Sequence, residues 1–376
     1  MLEQEQLGGA LALSLAVLYE RRLGKASRWS TYLESLPQYE SLPLIWLYTL
    51  THQQDRSSSI FASLPKETCR RSLELLKGTE LYRDLETDLA LLMEDYEDLV
   101  IPLTHAYPET WASDITLDEF LGVSSGVAAR CFRVDEWHGD AMVPMADIFN
   151  HGTAREHVHL ETEDITGEDE DSEGWIDMRM VRPAVKGEEV LNTYGDHSNA
   201  YLLAKYGFTE VDNPFDVVNV TAAEILDGLK GLSGAEKQQR FEAWLEQRKE
   251  EEDEDADVVE EEEELAGQVD MQDDGEHESI EDDDMSEWES EEEELEMDPE
   301  DIVFQINAEG ECDSDLELFL QIMVPDSTLI PDVLKRIAKK RLKAYNLKSL
   351  KPDATPEEHY ASILRDSEVQ IWRSLQ

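Results

Sequence analysis

The sequence predicts an α+β chain, and three observations predict it. Residues 1–135 place apolar side chains three and four positions apart, the helical period. After Arg133 short β-branched and apolar alternations take over, separated by turns that contain Gly, Pro and Asn. Helical spacing returns over 224–249 and 315–376.

Taken in order, residues 7–23 are apolar nearly all round (Leu11, Leu13, Leu15, Val17, Leu18) and Gly24 follows as a stop, which predicts a buried helix. Helices are expected over 41–50, 67–76 and 81–100, with Pro43, Pro65 and Pro102 near their boundaries. The alternations at 176–181 and 189–191 predict short strands. Between them, residues 161–177 are acidic and interrupted by Gly, a solvated insertion. Near the end, Val333, Ile337, Leu342 and Tyr345 again fall at helical spacing.

Charge is unevenly spread. Asp and Glu number 88 against 32 Lys and Arg, a net charge of −56. Residues 250–300 hold about 30 of those acids and no Lys or Arg, a composition that repels itself and buries no core, so a disordered insert is expected there. The remainder is still near −26, which argues against direct nucleic-acid binding and favours a basic partner. Cys69, Cys131 and Cys312 stand far apart without metal or disulfide spacing, as suits a reducing compartment. The longest apolar run, Leu11–Tyr19, falls short of the about 20 residues that span a bilayer, and Glu3 and Glu5 precede it where a signal peptide carries positive charge. A soluble intracellular protein is expected.

The chemistry is concentrated between Val143 and Phe208. VPMADIFNHG begins at Val143, EEVLNTYGDHSNAYLLAKYGF follows about forty residues later, and AARCF precedes both at Ala128–Phe132. Each piece alone is ordinary, since an Asn-His pair usually sits in a turn and a Tyr-Gly dipeptide is common. Their order and spacing together resemble the SET domain of the Rubisco large-subunit methyltransferase-like class, which includes fungal ribosomal lysine methyltransferases. YERRLGKASRWSTYLESLP at Tyr19–Pro37 extends the likeness into a helical insert.

This resemblance implies a SET core of short strands with knot-like threading, and an S-adenosyl-L-methionine-dependent protein-lysine N-methyltransferase. It implies a helical insert over 1–120, the C-terminal SET core over 121–215 and a helical substrate-binding domain over 216–376, interrupted by the acidic segment 250–300. Asn150 and His151 would hold the cofactor, with Arg130 meeting its carboxylate. Tyr194 would be the catalytic tyrosine, close to the sulfonium as well as the amine, and Tyr206 and Phe208 would line the lysine channel. Elementary chemistry asks for such a channel. In-line methyl transfer needs a nitrogen aimed at the methyl carbon and needs it neutral, although a free lysine titrates near about 10.4.

The resemblance further implies a ribosomal or other basic protein substrate and a nuclear or cytoplasmic setting. In the family a β-rich half-SET segment with a Gly-x-Gly loop precedes the helical insert, whereas this chain opens on MLEQEQLGGALALSLAVLYE, already insert-like. That segment is therefore expected to be missing, and a catalytically inactive SET-derived binding module is the alternative. A third reading, an acidic chaperone, uses only residues 250–300. Gly152 also stands where the family usually has a small polar residue. Asp147 is expected to be a structural hydrogen-bond acceptor. His157 and His159, alternating in REHVHLE, are expected to face solvent rather than a metal. Asp196, His197 and Ser198 are adjacent in sequence, which supplies no triad geometry. The basic run Lys335–Lys343 reads equally as a localisation patch and as the solvated face of an amphipathic helix.

Overall fold

A computed structural model describes residues 9–52, 59–111, 113–135, 139–162, 175–249 and 298–376. Most of the acidic insert, most of the 161–177 loop and Gly8 lie outside them. Two compact units emerge: residues 1–218 with 307–311 and 338–376, and residues 219–306 with 312–337. Among the described residues no helix is long and apolar enough to cross a membrane.

The first unit opens with α1 (Gly9–Leu23), followed by α2 (Ser30–Ser35), α3 (Pro43–Thr51), α4 (Lys66–Leu76), α5 (Glu80–Asp95), α6 (Ile101–Ala106) and α7 (Leu117–Arg130). Although α1 is apolar nearly all round, it buries one side, through Leu15, Val17 and Leu18. That side packs into a cluster with Phe120, Val123 and Val127 of α7. A second cluster gathers Ile45 and Trp46 of α3, Leu73 and Leu76 of α4, and Phe61, with Leu364 of the last helix, α13 (Pro356–Ser374), packed among them. Each such side chain contributes about 1.5–3 kcal/mol by leaving water, so α13 is held to α4 as firmly as the consecutive helices are to one another.

Pro102 does not end its helix. The backbone remains helical from Glu80 to Ala106, through a π turn at Tyr96–Val100. That wider turn puts Pro102 in the first turn of α6, where a missing N–H leaves no bond unmade.

Thr116 starts α7 with a capping box, bonding reciprocally with Glu119, and the chain leaves Arg130 directly into β1 (Cys131–Asp135). This strand pairs antiparallel with β2 (Gly139–Met142), and β3 (Val158–Thr162) pairs antiparallel with β4 (Ile176–Met180). The strand expected at 189–191 does not form. Asn192 makes isolated parallel bridges to His151 and to Val158, two different stretches of chain, and the Leu191 N–H goes to His157 Nδ1 at 3.2 Å instead of to a ladder carbonyl. The same contact corrects the solvent-facing reading of His157, which is buried. Helix α8 (Asn199–Tyr206) completes the motif region.

The second unit contains α9 (Ala222–Gly228), α10 (234–249) and α11 (Ser314–Met323), and an aromatic core. Trp244, Phe304 and Phe319 are buried there, with Trp244 edge-on to Phe319 at 5.0 Å. Strands β5 (Val217–Thr221) and β6 (Val303–Asn307) pair, and α12 (Ile330–Arg341), of which residues up to Ile337 belong to this unit, buries Val333 and Ile337.

Candidate active site

All six residues singled out from the motifs lie in the first unit, and they line one region. Arg130, Asn150, His151, Tyr194, Tyr206 and Phe208 border a cavity of about 390 Å³. A second cavity of about 230 Å³ is lined by Phe132, Thr193, His197 and Lys205. The two share Arg130, Asp147, Tyr194 and Tyr206 as a common wall.

Each wall residue is positioned by local structure. Arg130 ends α7, and its Nε and Nη2 donate to Glu40 Oε1 at 3.0 and 2.8 Å. Burial lowers the guanidinium pKa, but Glu40 and Asp147 outweigh it and the net shift is upward. Asp147 follows Met145, a non-glycine residue held at φ 77, in a short turn that leads its carboxylate inward. Asp147 Oδ2 accepts from the Tyr32 hydroxyl at 2.8 Å, whereas Oδ1 is buried without a partner. Asp147 is thus the structural acceptor expected of it and also keeps one oxygen unused.

Asn150 and His151 run beside Asn192. The Asn192 N–H donates to the Asn150 carbonyl at 2.8 Å, and Gly152 N–H donates to the Asn192 carbonyl at 3.0 Å. Gly152 lets the two stretches meet closely, because a Cβ there would come within 2.6 Å of Leu191 Cδ1. The Asn150 amide donates to Glu189 Oε1 at 2.6 Å. His151 is buried, and its Nδ1 accepts the Tyr194 N–H at 3.0 Å. Its proton therefore sits on Nε2, directed at Thr153 Oγ1 at 2.9 Å. Burial lowers its pKa, with Glu210 opposing, so the imidazole stays neutral at pH 7.

The Tyr194 hydroxyl donates to the Phe149 carbonyl at 2.8 Å, and burial pushes its pKa up to about 12. A neutral phenol with a committed proton offers its oxygen lone pairs elsewhere. Its ring lies 4.7 Å from Tyr206, the last residue of α8. Gly207 then takes a left-handed conformation, φ 81, and closes the helix by donating to Leu202 and Leu203 carbonyls. That turn brings Phe208 back to 5.9 Å from His151. Asn199, wholly buried at the start of α8, bonds to Asp216 through its N–H and its amide. Its side-chain carbonyl accepts from Glu210 N–H at 2.7 Å, and Glu210 in turn receives the Thr153 N–H at 3.1 Å. The aromatic wall is therefore tied to the His151–Thr153 segment.

Sequence reading did not single out Glu40, Tyr32, Lys205 or Glu210 for this region. Tyr32 and Lys205 lay within quoted segments and Glu210 just beyond one, whereas nothing local marks Glu40.

No family model matches the chain. It is 29% identical over 256 residues to N-lysine methyltransferase setd6 of Salmo salar, covering 64% of this chain and 50% of that protein. The human SETD6 N-lysine methyltransferase is 29% identical over 266 residues, 65% and 49% respectively. Ribosomal lysine N-methyltransferase 3 of Saccharomyces cerevisiae is 24% identical over 326 residues, 66% and 57%. The chain spans about half the length of the curated relatives it matches. Among solved structures, the SET domain of LSMT bound to lysine and AdoHcy superposes with a TM-score of 0.57 at 15% identity, over 99% of this chain and 74% of that one. Rubisco LSMT bound to AdoMet gives 0.53, at 15% identity over 99% and 74%. The fold is the SET-domain fold of Rubisco LSMT. In sequence, the chain is similar to the protein-lysine N-methyltransferases, as its motifs indicated.

Proposed function

We propose that the chain carries the methyl-transfer site of an S-adenosylmethionine-dependent protein-lysine N-methyltransferase acting on a ribosomal or other basic protein. The observation that carries this reading is the shared wall between two cavities. Transfer from a sulfonium to an amine is an in-line displacement, which needs two ligands approaching one point from different sides. The larger cavity, with Asn150 and His151, suits the cofactor, and the smaller one suits the acceptor lysine; Tyr206 lines both, whereas Phe208, expected in the lysine channel, lines the larger.

The residues present fit both ligands. Asp147 Oδ1, buried and unpartnered, calls for an N–H donor from a bound molecule. An amine drawn in beside the half-buried Tyr194 and Tyr206 loses water, and that desolvation favours the nucleophilic free amine. The cofactor, when bound, supplies an activated methyl group. Tyr194, with its proton held by Phe149, offers lone pairs that orient N–H and polarised C–H groups without itself ionising. His151 keeps its protonated nitrogen on Thr153 and so fixes the segment that borders the larger cavity.

The relatives named lysine methyltransferases support the reaction class, and the yeast relative's name supports a ribosomal substrate. A net charge of −56 favours a basic partner. Free Cys69, Cys131 and Cys312 suit a nuclear or cytoplasmic setting.

Calorimetric titration of the full chain with S-adenosylmethionine, paired with thermal melts, tests the proposal. Saturable heat is expected. At cofactor about 100-fold above Kd the stabilisation is about 2.7 kcal/mol, a rise of several degrees in Tm. No heat and no stabilisation at millimolar cofactor would instead support the inactive binding module.

A further inference from the structure

Among the described residues, Lys205 is the one lysine that lines either cavity of the site. Its Nζ rests 5.4 Å from the Tyr206 ring centre and 5.6 Å from that of Tyr201, and it donates a long bond to the Tyr201 hydroxyl at 3.3 Å. Among the described residues no carboxylate stands within ion-pair distance of it. In a chain with 88 acidic and 32 basic residues, a half-buried ammonium left to aromatic faces is conspicuous. Of the acids beside the site, Glu40 pairs with Arg130, and Asp147 meets Tyr32 and Arg130 through Oδ2; neither comes within ion-pair distance of Lys205.

The Lys205 ammonium repels an arriving lysine ammonium unless the ligand brings a compensating anion. We infer that Lys205 is a specificity-determining residue that pairs with an Asp or Glu carboxylate adjacent to the acceptor lysine in the substrate. The inference rests on the lysine-methyltransferase reading above and narrows its substrate class to lysines with an acidic neighbour, even where the whole substrate is basic. Desolvation by the aromatic rings costs Lys205 part of its hydration, and Tyr206 and Tyr201 offset this enough to raise its pKa, so the charge persists at working pH. An exposed to half-buried ion pair contributes up to about 1 kcal/mol, a preference of about three- to fivefold.

The test uses nine-residue peptides with a central lysine and randomised flanks, offered to the full chain with S-adenosylmethionine. Bound and methylated fractions are each sequenced by mass spectrometry. Enrichment of Asp and Glu by about three- to fivefold at one flanking position is expected. Lys205→Arg should keep that enrichment, Lys205→Gln should remove it, and Lys205→Glu should turn it toward Lys and Arg. Equal flank preferences in wild type and both charge variants would overturn the inference, as would failure of any peptide to bind. Methylation without acidic preference sinks the inference and leaves the methyltransferase reading standing. Acidic preference in the bound fraction without methylation does the reverse.

Discussion

At the scale of single residues, the site depends on protons whose positions are fixed by hydrogen bonds. Tyr194 donates to the Phe149 carbonyl, and His151 accepts the Tyr194 N–H, so one tyrosine links two backbone stretches from either end. With its pKa pushed up to about 12, Tyr194 stays a phenol through the physiological range and cannot be the group behind a pH-rate limb near neutrality. Replacing Tyr194 with Phe keeps the ring against Tyr206 and removes only the oxygen. Loss of one oriented polar group at a reacting centre costs about 100-fold or more. Initial methylation rates of Tyr194→Phe should fall by at least that factor while its thermal melt stays near wild type, and undiminished rates would remove Tyr194 from the mechanism.

At the scale of elements, turns decide where the helices point. Gly78 joins α4 to α5 with φ 94, and a Cβ there would lie 2.7 Å from the backbone of Ala344 and Tyr345. That backbone cannot retreat easily, because Asn346 donates its N–H to the Lys77 carbonyl at 3.2 Å and its amide to the Glu74 carbonyl at 2.6 Å. Gly78→Ala combines left-handed strain with a backbone clash, so a loss of about 2–4 kcal/mol is expected in chemical denaturation. A loss under about 0.5 kcal/mol would show that the junction adapts. Some element boundaries were written plainly in the sequence and went unread: Thr116–Glu119, Thr221–Glu224 and Thr355–Glu358 are each a capping box that starts a helix. The π turn before Pro102 was not legible, since a proline restricts its neighbours without stating how the chain absorbs the misfit.

At the scale of the first unit, distant segments are joined by buried polar groups. Glu368 of α13 is fully enclosed and accepts from the Tyr345 hydroxyl at 2.6 Å and from the Glu80 N–H. Burial, and then the nearby Glu80 carboxylate, raise its pKa well above the ordinary carboxylate range. The sign of the linkage follows. Below about 4.3, where a free Glu titrates, both states hold the proton and Glu368 costs nothing. As pH rises the unfolded chain ionises freely and the folded one does not, so stability is lost. Glu368→Gln keeps an acceptor for Tyr345 and has no charge to release. Its Tm should therefore exceed that of wild type by a margin that grows from pH 5 to pH 8, whereas a constant or negative difference would show that the carboxylate is ionised and well compensated.

The sequence by itself determined most helical segments, the periodicities behind the α+β class, and the order of Asn150, His151, Tyr194, Tyr206 and Phe208 that carried the SET-domain resemblance. These features are legible because periodicity, capping and short motifs act within a few residues of chain. Tertiary structure alone decided that Glu40 neutralises Arg130, that Tyr32 orients Asp147, and that Asp147 keeps one buried oxygen unpaired. It also made Leu191 a partner of His157 in place of a strand neighbour. A buried polar group takes whichever donor or acceptor the fold delivers, and that partner can be more than a hundred residues away, beyond the reach of any local pattern.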